Sequence, residues 1–134
     1  MIYLSLGTNI GDRRKNLDKA IEHLRAFCNI VRCSSILETE PVGFVSRNRF
    51  MNMCVAVTTQ LSPFELLDAT QKVERSMGRT IKSINGIYHD RIIDIDIIDY
   101  DGIKIDTPQL TLPHPKARER DFVMIPLNEI SFNL

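Results

Sequence analysis

The sequence lacks an excess of charge of either sign. Among its 134 residues, 17 lysines and arginines balance 17 aspartates and glutamates, so the formal net charge at pH 7 is zero. A protein that binds duplex nucleic acid usually has a broad electropositive surface. The composition therefore gives no support to a nucleic-acid partner, and any positive patch must be local.

Long apolar runs are missing as well. No stretch approaches the roughly 20 apolar residues that a membrane-spanning helix requires. The opening residues 1–6 are too short and lack the basic flank of a signal peptide. We therefore expect a soluble, cytoplasmic protein without a membrane partner. A chain of this length, with 43% hydrophobic and 25% charged residues, fits one globular domain over residues 1–134.

Cysteine is scarce, and no Cys-x-x-Cys pair occurs. Cys28, Cys33 and Cys54 are odd in number, which is typical of a protein from a reducing compartment. We interpret all three as small core residues rather than as metal ligands or redox groups.

The spacing of apolar residues predicts an α+β fold. Alternating and helical periods follow one another in the order strand, helix, strand, strand, helix, strand. The predicted strands cover residues 2–6, 30–38, 50–60 and 91–99, and the predicted helices cover residues 13–27 and 63–77. This order matches ferredoxin-like folds, in which two helices lie on one face of a four-stranded antiparallel sheet. The later residues form a C-terminal extension, with a short polar helical run at 116–121.

Local signals predict where the elements begin and end. Residues 62–65 have the pattern of a capping box, and Gly78 lies where a glycine commonly ends a helix. Gly7 and Gly11 belong to a predicted turn at residues 7–12, where both could adopt a positive φ. This turn lacks the Gly-x-Gly-x-x-Gly and Walker patterns, so a conformational function is the default interpretation.

Two carboxylates share one face of the predicted strand at residues 91–99. Side chains repeat every second residue along a strand, so Asp94 and Asp96 point the same way with Cβ atoms about 7 Å apart. Oxygen ligands favour Mg²⁺, which is often held by one or two carboxylates, water and substrate phosphates. The alternative is an antiparallel strand with one solvated acidic face. The spacing alone leaves both open.

Other polar residues allow a structural and a functional interpretation. Asn52 shares a strand face with Phe50, and a buried asparagine needs hydrogen-bond partners, which either the protein or a ligand could supply. His114 stands between two prolines, although a lone histidine is usually structural. The long irregular stretch at residues 79–90 is a candidate lid. Its cations could equally form surface ion pairs with the acidic strand.

Five short motifs, in order over essentially the whole chain, resemble the 6-hydroxymethyl-7,8-dihydropterin pyrophosphokinase family of folate synthesis. They are residues 5–11 (SLGTNIG), residues 39–43 (TEPVG), Phe50-x-Asn52, Arg91-x-x-Asp94-x-Asp96, and residues 112–114 (LPH) followed by Arg120-x-Phe122. The resemblance implies transfer of pyrophosphate from ATP to the pterin hydroxymethyl group, with release of AMP, on a ferredoxin-like fold. It also implies that the protein acts on two small molecules. Separately, we expect a monomer.

The resemblance assigns residues to the metal and to ATP. Asp94 and Asp96 would be the ligands of two Mg²⁺ ions that bridge the ATP phosphates, and with Arg79 and Arg91 they would form the catalytic group. The residues implied to hold the triphosphate are Arg79, Lys82, Arg91, His114 and Arg120. The residues implied to lie near the nucleotide are Gln71, Glu74, Ile97 and Thr111.

On the pterin side, the resemblance implies that Phe50 and Phe122 sandwich the flat ring. Asn52 would bind the amide and amino edge of the ring, and the backbone at Thr39 and Val42 would complete its recognition. The family often has a tyrosine where Phe50 stands, so stacking is kept here and a hydroxyl is lost.

The lid departs from the family pattern. The family usually has a tryptophan followed by Gly-Pro before the arginine that corresponds to Arg91, whereas this chain contains no tryptophan. Residues 87–90 read Ile-Tyr-His-Asp, and the loop is one residue longer. Tyr88 is the nearest aromatic substitute for the lid residue, and Ile87 is the alternative.

Two other classes of protein could share these features. A palm-like nucleotidyl transferase also uses paired aspartates on an antiparallel sheet, but it should bind nucleic acid through a larger basic surface. A non-catalytic ferredoxin-like binding module would need neither metal nor ATP. Formation of AMP that depends on the pterin and on Mg²⁺ separates the three.

Overall fold

A computed structural model of the protein describes residues 1–39, 49–78, 83–84, 87–88 and 92–131. Within these ranges the chain has an α+β architecture, with an antiparallel sheet and three α-helices, compatible with a ferredoxin-like fold. The prediction of an α+β fold is therefore confirmed.

The described ranges contain nine strands, three α-helices and one 3₁₀ turn. The strands are β1 (Ile2–Thr8), β2 (Asn29–Cys33), β3 (Leu37–Thr39), β4 (Phe50–Thr58), β5 (Ser83–Ile84), β6 (Ile87–Tyr88), β7 (Asp94–Tyr100), β8 (Ile105–Asp106) and β9 (Thr111–Leu112). The helices are α1 (Arg13–Leu24), α2 (Pro63–Ser76) and α3 (Asp121–Ile130), and the 3₁₀ turn is Ala117–Glu119.

The first strand, β1, lies inside the main sheet. It pairs antiparallel with β4 on one side and with β7 on the other, which gives the order β2-β4-β1-β7. The predicted strand at residues 30–38 is in fact two strands, β2 and β3, and both pair with β4. Between them, Ser34 still exchanges hydrogen bonds with the Cys54 backbone, and the carboxylate of Glu129 accepts two hydrogen bonds from Ser35. The main sheet therefore has five strands among the described residues, not four.

The two faces of this sheet pack against different helices. On one face, the apolar side chains of β1, β4 and β7 form a core with α1 and α2; its fully buried members include Leu4, Leu6, Leu17, Leu24, Val55, Leu66 and Ile95. On the other face, a second core packs against α3 and includes Tyr3, Cys54, Ala56, Ile98, Val123, Leu127 and Ile130. Because side chains alternate between the two faces of a strand, β1, β4 and β7 each contribute residues to both cores.

The termini of the helices follow the predicted signals in part. The Asp12 carboxylate accepts a hydrogen bond from the Lys15 amide at the start of α1, and α2 begins with the predicted capping box. Gly78 follows α2 with φ of 99°. The prediction for Gly7 was wrong, since this residue lies within β1 and only Gly11 of the predicted turn has a positive φ.

A β-bulge interrupts the acidic strand. Leu4 of β1 pairs with Ile97, whereas the preceding Tyr3 pairs with Asp99, so Ile98 is an extra residue in β7. The predicted alternation of side chains between the two faces of the sheet therefore holds for residues 93–97. After the bulge, each side chain points to the face opposite to the predicted one. As a result, the Tyr100 ring packs against the α1–α2 core.

The C-terminal extension forms more regular structure than predicted. Residues 121–130 are the α-helix α3, although Pro126 lies inside it. A proline in a helix interior removes a hydrogen-bond donor, which weakens the helical signal in the sequence. Here the buried side chains of Val123, Leu127 and Ile130 hold the helix against the sheet.

The cysteines differ in their surroundings. Cys28 and Cys54 are buried, as predicted, and all three are free thiols. Burial raises the pKa of Cys54 to about 12. The prediction of a core position was wrong for Cys33, which is exposed because it ends β2 at the edge of the sheet.

Candidate active site

Asp94 and Asp96 lie on one face of β7, as the alternation predicts. Both side chains are half-buried, while the intervening Ile95 is buried in the α1–α2 core on the opposite face. Their partners on β1 are small: Gly7 is opposite Asp94, and Ser5 is opposite Asp96. Small neighbours leave space over the sheet in front of the two carboxylates.

The carboxylate of Glu74 holds the backbone between the two aspartates. Glu74 lies on α2, is 4% exposed, and accepts a hydrogen bond of 2.8 Å from the amide of Ile95. Glu74 on α2 therefore contacts the backbone of β7 between the two aspartates, and the resemblance did not indicate this contact.

Asn52 lies on β4, with its side chain toward the same face as the two aspartates. It is 4% exposed, and its Nδ2 atom donates a hydrogen bond of 3.2 Å to the Thr39 hydroxyl on β3. On its other side, Asn52 is paired with Gly7 of β1. The amide therefore has a structural partner and also borders the face that carries the carboxylates.

Gly7 connects the two halves of this face. It is the register partner of both Asn52 and Asp94, so the three residues form one row across β4, β1 and β7. Neighbouring strands are about 4.8 Å apart, which puts the ends of the row roughly 10 Å apart. The row presents an amide at one end, a carboxylate at the other, and no side chain between them.

Two aromatic residues are also placed near this face. Phe50 is the first residue of β4, Phe122 lies in the first turn of α3, and both are half-buried. The guanidinium carbon of Arg120 lies over the Phe122 ring, 5.6 Å from its centroid. This distance is that of a cation–π contact, and the half-buried ring also packs against the second core.

The segment containing His114 is attached to β7. The His114 amide donates a hydrogen bond of 2.8 Å to the Ile98 carbonyl, and its Nδ1 atom accepts one of 3.2 Å from the Lys116 amide. A neutral imidazole whose Nδ1 accepts carries its proton on Nε2, which makes Nε2 a donor. Thr111 belongs to β9, which packs beside β7.

Two other residues assigned to the nucleotide differ in exposure. Gln71 is half-buried on α2. The Ile97 side chain is 4% exposed and belongs to the α1–α2 core, so only its backbone can contact a ligand on the opposite face.

Several predicted residues lie outside the described ranges. These are Val42, Arg79, Lys82 and Arg91, whose assignments stay predictions. The lid assignment of Ile87 and Tyr88 also stays a prediction, although their backbone forms β6, which pairs with β5.

No cluster of three or more histidine, cysteine, aspartate or glutamate residues that could hold a metal occurs in the described ranges. A pair of carboxylates nevertheless suits Mg²⁺, which commonly keeps water and phosphate oxygens as its remaining ligands.

None of the helices in the described ranges has the length and apolar character needed to cross a membrane.

Sequence reasoning missed three residues that support this site. Gly7 was assigned to a turn, Thr39 only to a backbone contact, and Glu74 to the nucleotide. A glycine in an apolar alternating run could have indicated a close approach by a neighbour. The contacts of Thr39 and Glu74 join distant parts of the chain and left no local signal.

Comparison with known proteins gives a family match over most of the chain. Residues 3–132 match the family model described as 7,8-dihydro-6-hydroxymethylpterin-pyrophosphokinase. A 2-amino-4-hydroxy-6-hydroxymethyldihydropteridine pyrophosphokinase of Porphyromonas gingivalis is 45% identical, over 98% of this chain and 90% of its own length. Proteins of the same name from Bacillus subtilis and Aquifex aeolicus are 44% and 41% identical, over 96% and 99% of this chain and 76% and 81% of their own lengths. The chain belongs to the 7,8-dihydro-6-hydroxymethylpterin-pyrophosphokinase family.

Proposed function

We propose that the sheet face carrying Asp94, Asp96 and Asn52 is the active site of this enzyme. The chain is an ATP-dependent pyrophosphokinase that transfers pyrophosphate from ATP to 6-hydroxymethyl-7,8-dihydropterin in folate biosynthesis. The observation that carries the site is the row of Asn52, Gly7 and Asp94 on adjacent strands. It brings an amide suited to a heterocycle within reach of a carboxylate suited to a phosphate-bound metal.

The carboxylates of Asp94 and Asp96 would hold two Mg²⁺ ions. Their half-buried position and all-oxygen donor set support this assignment. Ions held by these two carboxylates would supply positive charge to the phosphates during attack of the pterin hydroxyl on the β-phosphorus, with AMP as the leaving group. Glu74 supports the strand by binding the amide of Ile95, between the two ligands.

Cationic and polar residues would bind the rest of ATP. We assign the triphosphate to Arg79, Lys82, Arg91, His114 and Arg120, and the nucleotide to Gln71, Thr111 and the backbone of Ile97. The Nε2–H of His114 and the guanidinium of Arg120 are donors suited to phosphate oxygens. Because the chain is neutral overall, these residues would form a local cationic patch rather than a basic surface.

The pterin would lie at the Asn52 end of the row. Phe50 and Phe122 would stack on the ring, and the Asn52 amide would bind its amide and amino edge. The backbone of Thr39 and Val42 would complete the contact. Amides and aromatic rings together suit a flat heterocycle that has hydrogen-bonding groups only at its edge.

The sheet order supports a ferredoxin-like fold. If β1, β2, β4 and β7 are numbered 1 to 4 as the strands of the predicted pattern, their order across the sheet is 4-1-3-2, as in ferredoxin-like folds.

We further propose that residues 1–134 form one domain that acts as a cytoplasmic monomer. Tyr88 or Ile87 would close over the bound substrates.

One assay tests the function. The protein is incubated with ATP, Mg²⁺ and 6-hydroxymethyl-7,8-dihydropterin, and AMP is quantified by chromatography. We expect AMP only when all three are present. Formation of AMP without the pterin, or incorporation of nucleotide into nucleic acid, would contradict the proposal and support a nucleotidyl transferase. Binding of the pterin without turnover would support a binding module.

A further inference from the structure

Gly7 occupies a position where the backbone does not require a glycine. It lies inside β1, and its φ is outside the left-handed range that Gly11, Gly78 and Gly102 adopt. Alanine would therefore cause no backbone strain at this residue. The need for glycine must come from the space around it.

That space is occupied by the Asn52 amide. A Cβ atom on residue 7 would lie 2.7 Å from Asn52 Oδ1, closer than real Cβ contacts allow. The Phe50 ring would be 3.8 Å away, which is an ordinary contact. The missing side chain of Gly7 thus accommodates the oxygen end of this amide.

The nitrogen end of the same amide is held from the opposite side. Thr39 lies on β3, beyond β4 as seen from β1, and its hydroxyl accepts the hydrogen bond from Asn52 Nδ2. Because Asn52 is 4% exposed, these neighbours restrict the positions its amide can adopt. The amide lies across β4 with its nitrogen toward Thr39 and its oxygen over Gly7.

We propose that Gly7 and Thr39 are positioning residues that orient the Asn52 amide, and that this orientation determines which heterocycle edge the site accepts. The proposal rests on the proposed function, in which Asn52 binds the pterin. A site built to hydrogen-bond a substrate rejects analogues that leave its buried polar groups unpaired. The favoured ligand class is a fused heterocycle with a 2-amino-4-oxo edge, and a 2,4-diamino analogue should bind less well.

Substitutions at Gly7 test the steric half of the proposal. Binding of the pterin and of a 2,4-diaminopteridine is measured by calorimetry in the presence of Mg²⁺ and a non-hydrolysable ATP analogue. In Gly7→Ala, we expect about tenfold weaker pterin binding, the size of one lost hydrogen bond, and a smaller preference over the diamino analogue. Affinity for the ATP analogue should stay within about twofold of the wild type.

The same substitution in an Asn52→Ala background separates positioning from general damage. With the amide removed, Gly7→Ala has nothing to displace, so it should cause no further loss of pterin affinity. An equal loss in both backgrounds, or no loss in either, would overturn the assignment of Gly7.

Thr39 provides a second test that does not depend on the folding of Gly7→Ala. Thr39→Val removes the acceptor with little change in shape and should weaken pterin binding, whereas Thr39→Ser should retain most of it. Thr58→Val, the same exchange at an exposed position of β4, is the control and should leave pterin affinity unchanged. Equal pterin affinity of Thr39→Val and the wild type would overturn the assignment of Thr39.

The outcomes distinguish failure of the orientation proposal from failure of the proposed function on which it rests. If the wild type binds no pterin in the presence of the ATP analogue, the proposed site fails. If the wild type binds the pterin and the Gly7→Ala and Thr39→Val variants bind it equally well, the site stands and the orientation proposal fails.

Discussion

The Glu74 carboxylate on α2 accepts a hydrogen bond from the Ile95 amide on β7, at 2.8 Å. Ile95 separates Asp94 from Asp96, so one buried side chain fixes the strand at the midpoint of the acidic pair. This contact links the packing of α2 to the spacing of the two candidate metal ligands.

Removal of Glu74 should therefore affect both stability and the requirement for Mg²⁺. In Glu74→Ala, the Ile95 amide loses its acceptor, which should lower the free energy of unfolding by about 1–3 kcal/mol. Glu74→Gln keeps an acceptor oxygen and should lose less. Urea denaturation measures stability, and AMP formation at increasing Mg²⁺ should show a higher half-saturating concentration in Glu74→Ala. Equal destabilisation by both substitutions would contradict the importance of this hydrogen bond.

Asp94→Asn and Asp96→Asn should each abolish pyrophosphoryl transfer without unfolding the protein. Loss of one carboxylate from a like-charged pair removes repulsion, so the stability of the ligand-free protein should be unchanged or greater. Asp99→Asn is a matched control on the same strand, outside the proposed pair, and should stay active. Turnover of either variant within about tenfold of the wild type, a barrier change of only about 1.4 kcal/mol, would contradict metal ligation.

Phe122 and Arg120 should affect different substrates even though their side chains are in contact. Phe122→Ala should weaken pterin binding more than nucleotide binding, because aromatic stacking contributes roughly 0.5–1.5 kcal/mol beyond burial. Arg120→Ala should mainly weaken binding of an ATP analogue. Phe64→Ala, at an exposed position on α2, is the control for the aromatic exchange. Calorimetry that showed Phe122→Ala sparing the pterin and weakening the nucleotide would reverse the two assignments.

The capping box of α2 predicts a pH-dependent contribution to stability. Hydrogen bonds from the Ser62 backbone and hydroxyl lower the pKa of Glu65 from its ordinary value of 4.5. A lowered folded-state pKa means that the stabilisation is fully present above pH 4.5 and is lost as the pH falls through the folded-state pKa. The stability difference between the wild type and Glu65→Gln should therefore shrink between pH 7 and pH 3. A constant difference in urea denaturation across this range would contradict the prediction.

The thiols should differ in reactivity. Burial raises the pKa of Cys54 to about 12, so at pH 8 only about one thiol in ten thousand is ionised. Cys33 is exposed at the end of β2. Iodoacetamide at pH 8 should label Cys33 in the folded protein and leave Cys54 unmodified, as mass spectrometry of peptides can show. Labelling of Cys54 at the same rate as Cys33 would mean that the core over β4 opens readily.

Local patterns in the sequence determined those features that depend on neighbouring residues. The shared face of Asp94 and Asp96 follows from the two-residue period of a strand, and the start of α2 follows from a side chain that bonds an amide three residues away. The turn at Asp101 and Gly102 is local in the same sense, because both residues adopt a positive φ that Asp-Gly pairs favour.

The tertiary structure alone decided the features that depend on contacts between distant elements. The contacts of Gly7 and Thr39 with the Asn52 amide form only when β1, β4 and β3 lie side by side. The Glu74 contact likewise requires α2 to pack against β7, and the bulge at Ile98 follows from its register with β1. Such contacts produce no periodic pattern in the sequence, because the side chains that fill a space or complete a hydrogen bond come from separate parts of the chain.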